Sequence, residues 1–344
     1  MLESPHNGNQ GKLLPDLSVS MVTYNSAPCL DGILESLAGQ QGVRWKLFVV
    51  DNASQDGTRA KLEQLSNVTL NRTNVGFGAA HNQNLSRFRG RYVLFLNPDL
   101  TFSTDLFAGL TNFLDENPQV GIAGPRVLEG RDRIPFPPRR FYPGEGMVPL
   151  EPGLRRKEYA WISGCCLAIR RAALEQVGGF DPGYFLYQEE TDLCLRVRRA
   201  GYRIAWCPEL EVEHAGQQSQ TEFSEYERAR KLFEGTAQFL RKHYGTRQLN
   251  SMFRFQHLGT STLLGVSRML PKSAWLRARP FRRNGCAPDA TSAGNGWIVL
   301  GSVLFYCWIQ SSRKLPCASW KCSWNICEAA AGSLWMITDF ALGI

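Results

Sequence analysis

The stretch YVLFLNPDLTF, residues 92–102, decides how the rest of the sequence is read. Tyr92–Leu96 is a run of apolar, strand-forming side chains, as in a strand buried in a sheet. It is then interrupted by Asn97-Pro98-Asp99. Proline cannot donate to a sheet ladder, so it ends the strand and fixes the backbone where the next side chain must point. Asp99 becomes a rigidly presented carboxylate. Taken alone, the same tripeptide also reads as a simple turn.

Working upstream, Leu17–Thr23 reads as a first strand, followed by a helix that Ser26 can cap, with Pro28 near its first turn and Leu30, Ile33, Leu34 and Leu37 at helical spacing. A second strand at 46–50 ends in Asp51-Asn52. The turn Asp56-Gly57 leads to a helix carrying Leu62 and Leu65. A third strand at 68–71 runs into Asn74-Val75-Gly76-Phe77-Gly78 and another helix. This alternation is the signature of βαβ units around a largely parallel sheet, in which ligands bind beyond the carboxyl ends of the strands. Thr23, Asn25, Asp51, Asn52, Asn74, Asn97 and Asp99 all fall at or just past such ends.

Downstream, residues 130–158 are rich in Pro, Gly and Arg and read as a long mobile loop. A strand at 164–170, a helix at 190–200 and a strand at 203–206 follow, then a polar-faced helix at 221–244. Residues 268–283 hold six basic side chains and no acidic one. The last sixty residues change character, with five Cys, five Trp and no sustained period; they read as disordered, interfacial or frame-shifted, and carry no assignable function. The apolar run 297–309 is too short to span a bilayer. No signal peptide is visible at the N-terminus, so a cytoplasmic location is expected.

The chain has 344 residues and a net charge of +8. That is enough for a substantial core and suggests an anionic partner, without choosing among nucleic acid, phosphorylated ligand and acidic membrane. Cys29, Cys165, Cys166, Cys194 and Cys207 have no metal-type spacing with histidine and read as reduced structural residues.

Four groups carry chemistry. Asp99 suits a hard divalent cation, Mg2+ or Mn2+, which commonly bridges phosphate oxygens to one or two carboxylates. Asp51, Asn52 and Asp56, with Thr23-Tyr24-Asn25 on the preceding strand end, could pair with the edge of a nucleobase and with ribose hydroxyls. In NVGFGAAHN, residues 74–82, the glycines allow close backbone approach where a helix begins, a setting for phosphate. Its Gly76-x-Gly78 imitates a dinucleotide fingerprint, but that fingerprint belongs after the first strand and needs a small residue in place of His81, which argues against a nicotinamide enzyme. Finally, Glu189-Glu190-Thr191-Asp192 opens a helix, where acids complement the dipole and where crowded carboxylates disfavour each other's ionisation, so that one can serve as a general base. His214, following a strand, is a further metal-ligand candidate.

In order, VSMVTYN, VVDNASQDGT, NVGFGAAHN, LFLNPDL, GGFDPGYFLYQEETDLCLRVRRAGY and EVEHAG resemble the family 2 inverting glycosyltransferases, especially the rhamnosyltransferase-like branch that builds bacterial cell-surface polysaccharides. The resemblance implies an α/β GT-A fold: a mixed, mostly parallel sheet flanked by helices, with a Rossmann-like nucleotide-binding half and here a C-terminal helical extension. It implies a nucleotide-diphosphate sugar donor and Mg2+ or Mn2+. By position, Thr23, Asn25, Asp51, Asn52 and Asp56 would hold base and ribose, while Asn74, Gly76 and Asn82 would lie near ribose and diphosphate. Asn97-Pro98-Asp99 stands where the family has Asp-x-Asp, so Asp99 would be the principal metal ligand, Asn97 replaces the first acid, and His214 would complete the site. Glu190 matches the catalytic base, with Glu189 beside it and Asp192 orienting the acceptor or capping the helix.

The expected organisation is an N-terminal tail over 1–15, the transferase domain over 16–245, a basic helical extension over 246–284 with peripheral membrane contact, and the Cys/Trp-rich tail over 285–344. The expected reaction moves a sugar, rhamnose from dTDP-rhamnose being the candidate, onto a saccharide or lipid-linked saccharide; no nucleic acid partner is expected. Two competing readings are a non-catalytic sugar-nucleotide or saccharide-binding protein, and a nucleotidyltransferase. The latter should carry a Gly-rich basic loop where this chain has Thr23-Tyr24-Asn25-Ser26.

Overall fold

The computed structural model describes residues 15–143, 158–215 and 224–269, which fall into two compact units divided between Glu222 and Phe223. The first unit is built on one ten-stranded sheet. In chain order its elements are β1 (Leu17–Thr23), α1 (Leu30–Ala38), β2 (Trp45–Asp51), α2 (Thr58–Leu62), β3 (Val68–Leu70), α3 (Phe77–Asn82), β4 (Tyr92–Leu96) and β5 (Leu100–Phe102). There follow α4 (Leu106–Glu116), β6 (Val120–Glu129), β7 (Ile134–Phe136), β8 (Glu158–Tyr159), β9 (Cys166–Arg170), α5 (Arg171–Val177), α6 (Glu189–Arg199) and β10 (Arg203–His214).

The sheet runs β3-β2-β1-β4-β9-β6-β10-β5, with β7 on β6 and β8 on β10. The nucleotide-type half β3-β2-β1-β4 is parallel throughout. β9 then enters antiparallel between β4 and β6, and β5 closes the far edge antiparallel to β10. β1 and β4 are buried along their whole length; β4 accordingly reads as a continuous apolar run, whereas β1 buries Ser18, Ser20 and Thr23 among its apolar side chains. Leu30, Ile33 and Leu37 of α1 and Leu106, Phe107, Leu110 and Leu114 of α4 pack onto that surface.

Several expectations are corrected in detail. Ser26 does not cap α1 with its side chain: its carbonyl accepts from the Cys29 and Leu30 N–H groups, while its hydroxyl bonds the Tyr24 carbonyl. The strand expected at 203–206 continues to His214, crossing a register shift between Cys207 and Glu211 where Pro208 interrupts the ladder. Residues 130–158 are not loop throughout, since β7 and the start of β8 lie within them; 144–157 lie outside the described residues.

The second unit is the helix α7 (Glu225–Met269), interrupted at Gly245 with φ 79° and ψ 179°. Ala237, Leu240, Tyr244 and Leu249 cluster along it. The basic run is described only as far as Met269, and the tail 285–344 and residues 1–14 lie outside the described residues. No helix among the described residues is long and apolar enough to cross a membrane.

Candidate active site

The Asn97-Pro98-Asp99 turn carries the chain from the centre of the sheet, β4, to its far edge, β5. Because Leu100 pairs with His214 across the β5–β10 ladder and the Ala215 N–H donates to the Asp99 carbonyl (2.9 Å), the Asp99 and His214 side chains are forced together. Asp99 Oδ1 lies 3.0 Å from His214 Nε2, and Asn97 Nδ2 lies 3.3 Å from the same nitrogen. Glu129 occupies the register position beside His214 on β6, and its carboxylate meets Nδ1 at 3.0 Å. Sequence reading missed Glu129; only the pairing of β6 with β10 reveals it. Burial works against the imidazolium, yet the Asp99 and Glu129 carboxylates outweigh it and raise the His214 pKa well above its ordinary value.

A divalent cation fits this arrangement. Asp99 Oδ1 is buried and receives no hydrogen bond of good geometry, although the imidazole is near. Glu129, held on the opposite ring nitrogen, would orient the ring and leave Nε2 to ligate, a carboxylate–histidine–metal relay. Among the described residues no three acidic, histidine or cysteine side chains converge on one point. The protein therefore offers two donors, suited to a cation that takes its remaining oxygens from a diphosphate and water.

The acidic cluster is reached through β9. The Asn97 N–H donates to the Cys165 carbonyl (2.8 Å), and the neighbouring Gly164 abuts Glu190, with room for a Cβ only 3.1 Å from the Glu190 Cβ. Asp99 and Glu190 thus stand at the same end of the β4–β9 pair. Two successive left-handed residues, Tyr187 (φ 71°) and Gln188 (φ 72°), turn the chain into α6, a conformation costing on the order of 1 kcal/mol or more each. Burial raises the Glu190 carboxyl to about 7, while Glu189, buried beside it, is held well above the carboxylate range by desolvation and by the Glu190 charge. Near neutrality Glu190 can therefore exchange a proton. Gln188 Oε1, Glu189 Oε2 and Thr191 Oγ1 are buried without hydrogen-bond partners. Asp192 has a different setting: fully buried, it is ion-paired to Arg196 one turn on (2.7 Å).

The residues expected to hold the nucleotide lie together at the ends of β1 and β2, but most are tied to the protein. Asp51 bonds Arg59 Nε (2.8 Å), the Ser54 N–H and the Thr23 hydroxyl. Asn52 spends its whole amide on Asn71, Asn74, Val75 and Gly76. Asn25 (φ 47°) accepts from the Gln55 N–H, and Asp56 accepts from the Ala27 and Thr58 N–H groups. Tyr24, Asn25, Gln55 and Asp56 line a shallow open hollow there. Asn82 is turned instead toward Phe180, bonding both its carbonyl and its N–H. His81 is buried against Phe77, Phe95 and Phe180, and burial lowers its pKa to about 3.

A family model described as Glycosyl transferase family 2 matches residues 18–178. The N-acetylglucosaminyl-diphospho-decaprenol L-rhamnosyltransferase of Mycobacterium tuberculosis is 30% identical over 236 residues, covering 58% of this chain and 75% of that protein. The chain belongs to the family 2 glycosyltransferases. A second relative of the transferase, the low-salt glycan biosynthesis hexosyltransferase Agl10 of Haloferax volcanii, is 27% identical over 227 residues, covering 62% of this chain and 72% of that one. Among solved structures, the mannosyltransferase PcManGT from Pyrobaculum calidifontis in complex with GDP-Man and Mn2+ superposes with a TM-score of 0.53 at 18% identity, covering 96% of this chain and 85% of that one. The transferase therefore has the GT-A fold expected from its motifs, and it is similar to enzymes named as rhamnosyltransferases.

Proposed function

We propose that this transferase moves rhamnose from dTDP-rhamnose, with inversion, onto a lipid-linked saccharide in cell-surface polysaccharide synthesis. The observation that carries the reading is the meeting of two unlike sites at one sheet end: a carboxylate–imidazole pair suited to a metal-bound diphosphate, and a carboxyl tuned near neutrality across Gly164 and Cys165. The M. tuberculosis relative, named for rhamnose transfer onto a decaprenol-linked sugar, supports the choice of sugar and acceptor.

Glu190 would take the proton of an acceptor hydroxyl as its oxygen bonds to the anomeric carbon, while the bond from that carbon to the diphosphate oxygen breaks in line on the opposite face. The configuration inverts and no covalent enzyme intermediate forms. Asp99 and His214 would hold Mg2+ or Mn2+, the imidazole favouring Mn2+, and such a cation supplies neutralisation of the charge left on the departing diphosphate. The unpartnered Gln188, Glu189 and Thr191 atoms are suited to the acceptor's hydroxyls. The basic residues of 268–283 would bring the enzyme to the anionic inner face of the membrane, where such acceptors lie.

A panel of dTDP-, UDP- and GDP-sugars, incubated with the purified chain and Mn2+, tests this reading. Turnover is expected with dTDP-rhamnose, rising with pH through about 7 as Glu190 loses its proton. Glu190→Gln should bind nucleotide as before and lose on the order of 1,000-fold in kcat. No transfer or hydrolysis of any donor by folded protein defeats the proposal, and full activity of Glu190→Gln returns the chain to the class of binding proteins.

A further inference from the structure

Residues 179–188 join α5 to α6 and deliver Glu189 and Glu190 to the site. This loop does not hang free of the donor side; it is fastened to the 74–82 segment at two points. At the first, Asn82 Oδ1 accepts the Phe180 N–H (2.9 Å) while Asn82 Nδ2 donates to the Phe180 carbonyl (2.7 Å), the two-bond pairing by which an amide mimics a strand. The Phe180 ring is meanwhile wedged among Phe95, His81 and Phe77, with centroids at 4.8, 5.8 and 6.0 Å. At the second, the Phe77 N–H donates to the Phe185 carbonyl (3.1 Å), an approach open only because Gly76 (φ 90°) has no Cβ; one there would sit 2.7 Å from that oxygen. On its other side Gly76 is held by Asn74 Oδ1 (2.9 Å) and Asn52 Nδ2 (3.3 Å). Contacts therefore run unbroken from the end of β2 to the loop before the base.

We propose that Asn82 is a positioning residue for Glu190, acting through Phe180, and not a ligand of the sugar nucleotide. The proposal rests on Glu190 being the base, but its central measurement does not. In the full-length chain, Asn82→Ala is expected to leave the Kd of UDP, dTDP or GDP with Mn2+, whichever binds the wild type, within about twofold, while amide exchange over residues 179–188 accelerates about tenfold or more. With the donor that the wild type turns over, kcat should fall about 10- to 100-fold at unchanged donor KM, as expected when a reacting group is mispositioned. Nucleotide binding weakened tenfold with exchange unaltered would make Asn82 a donor ligand and overturn the proposal. So would unaltered exchange and kcat together. Should the alanine variant fail to fold, Asn82→Asp keeps the acceptor for the Phe180 N–H and loses the donor; it should fall between wild type and loss, and wild-type exchange in it counts against the latch. An active Glu190→Gln would remove the base assignment while leaving the exchange result to stand by itself.

Discussion

The ends of β1 and β2 and the start of α6 treat their polar atoms in opposite ways. At the ends of β1 and β2 the side chains of Thr23, Asp51 and Asn52 are buried and bonded to one another, to the Arg59, Asn71 and Asn74 side chains and to neighbouring backbone. At the start of α6, Gln188, Glu189 and Thr191 each keep a buried polar atom with no partner, behind two left-handed residues. Buried polar groups are normally paired, so the first arrangement is that of a scaffold and the second is that of a surface awaiting a ligand. The ends of β1 and β2 are thus built in advance, with Tyr24, Asn25, Gln55 and Asp56 lining the hollow at their rim, while the acid side keeps its polar atoms unpaired.

Removing a scaffold acid is the most direct way to break this contrast. Asp51→Ala leaves the Ser54 N–H and the Thr23 hydroxyl unpaired in the interior, although the half-exposed Arg59 guanidinium can turn to water. A loss of about 3 kcal/mol in stability by urea denaturation is expected. A loss confined to nucleotide affinity would instead make Asp51 a direct ligand. Next in size is Glu129→Ala, which frees the Nδ1 side of His214. Mn2+ affinity in the presence of a nucleoside diphosphate should weaken about 10- to 100-fold, read by electron paramagnetic resonance of the free ion, with stability little changed because Glu129 is partly exposed. Unaltered Mn2+ binding would show that the imidazole needs no orienting acid.

The parallel half of the fold was legible because β4 is apolar from end to end, short apolar runs alternate with amphipathic stretches before it, and glycines and asparagines mark the strand exits. The position of Asp99 was legible for a similar reason: Pro98 can only end a strand. What the sequence did not disclose depends on pairing between distant strands. Glu129 gains its role only when β6 and β10 are set side by side, and Asn82 reads as a neighbour of the glycines until its bonds to Phe180 in loop 179–188 are formed. The strand expected at 203–206 runs on to His214, because the sheet absorbs Pro208 in a register shift between Cys207 and Glu211. Local sequence carries propensity and turn chemistry; it carries no record of which strand will lie alongside.

The smallest effect tests the contrast most finely, because it compares the same substitution on the two sides. Thr23 and Thr191 are both fully buried threonines, one bonded to Asp51 through its hydroxyl and the other with its hydroxyl unpartnered. Valine matches threonine in shape and deletes only the polar group. Thr23→Val removes a hydrogen bond to a carboxylate and should cost about 1 to 2 kcal/mol, whereas Thr191→Val removes a desolvated group that gains nothing in the free enzyme and should be neutral or stabilising by under about 1 kcal/mol. If Thr191 meets the acceptor, its replacement raises acceptor KM while donor KM is unchanged. Equal destabilisation by the two variants would mean that the start of α6 is scaffold as well, and the division between it and the ends of β1 and β2 would disappear.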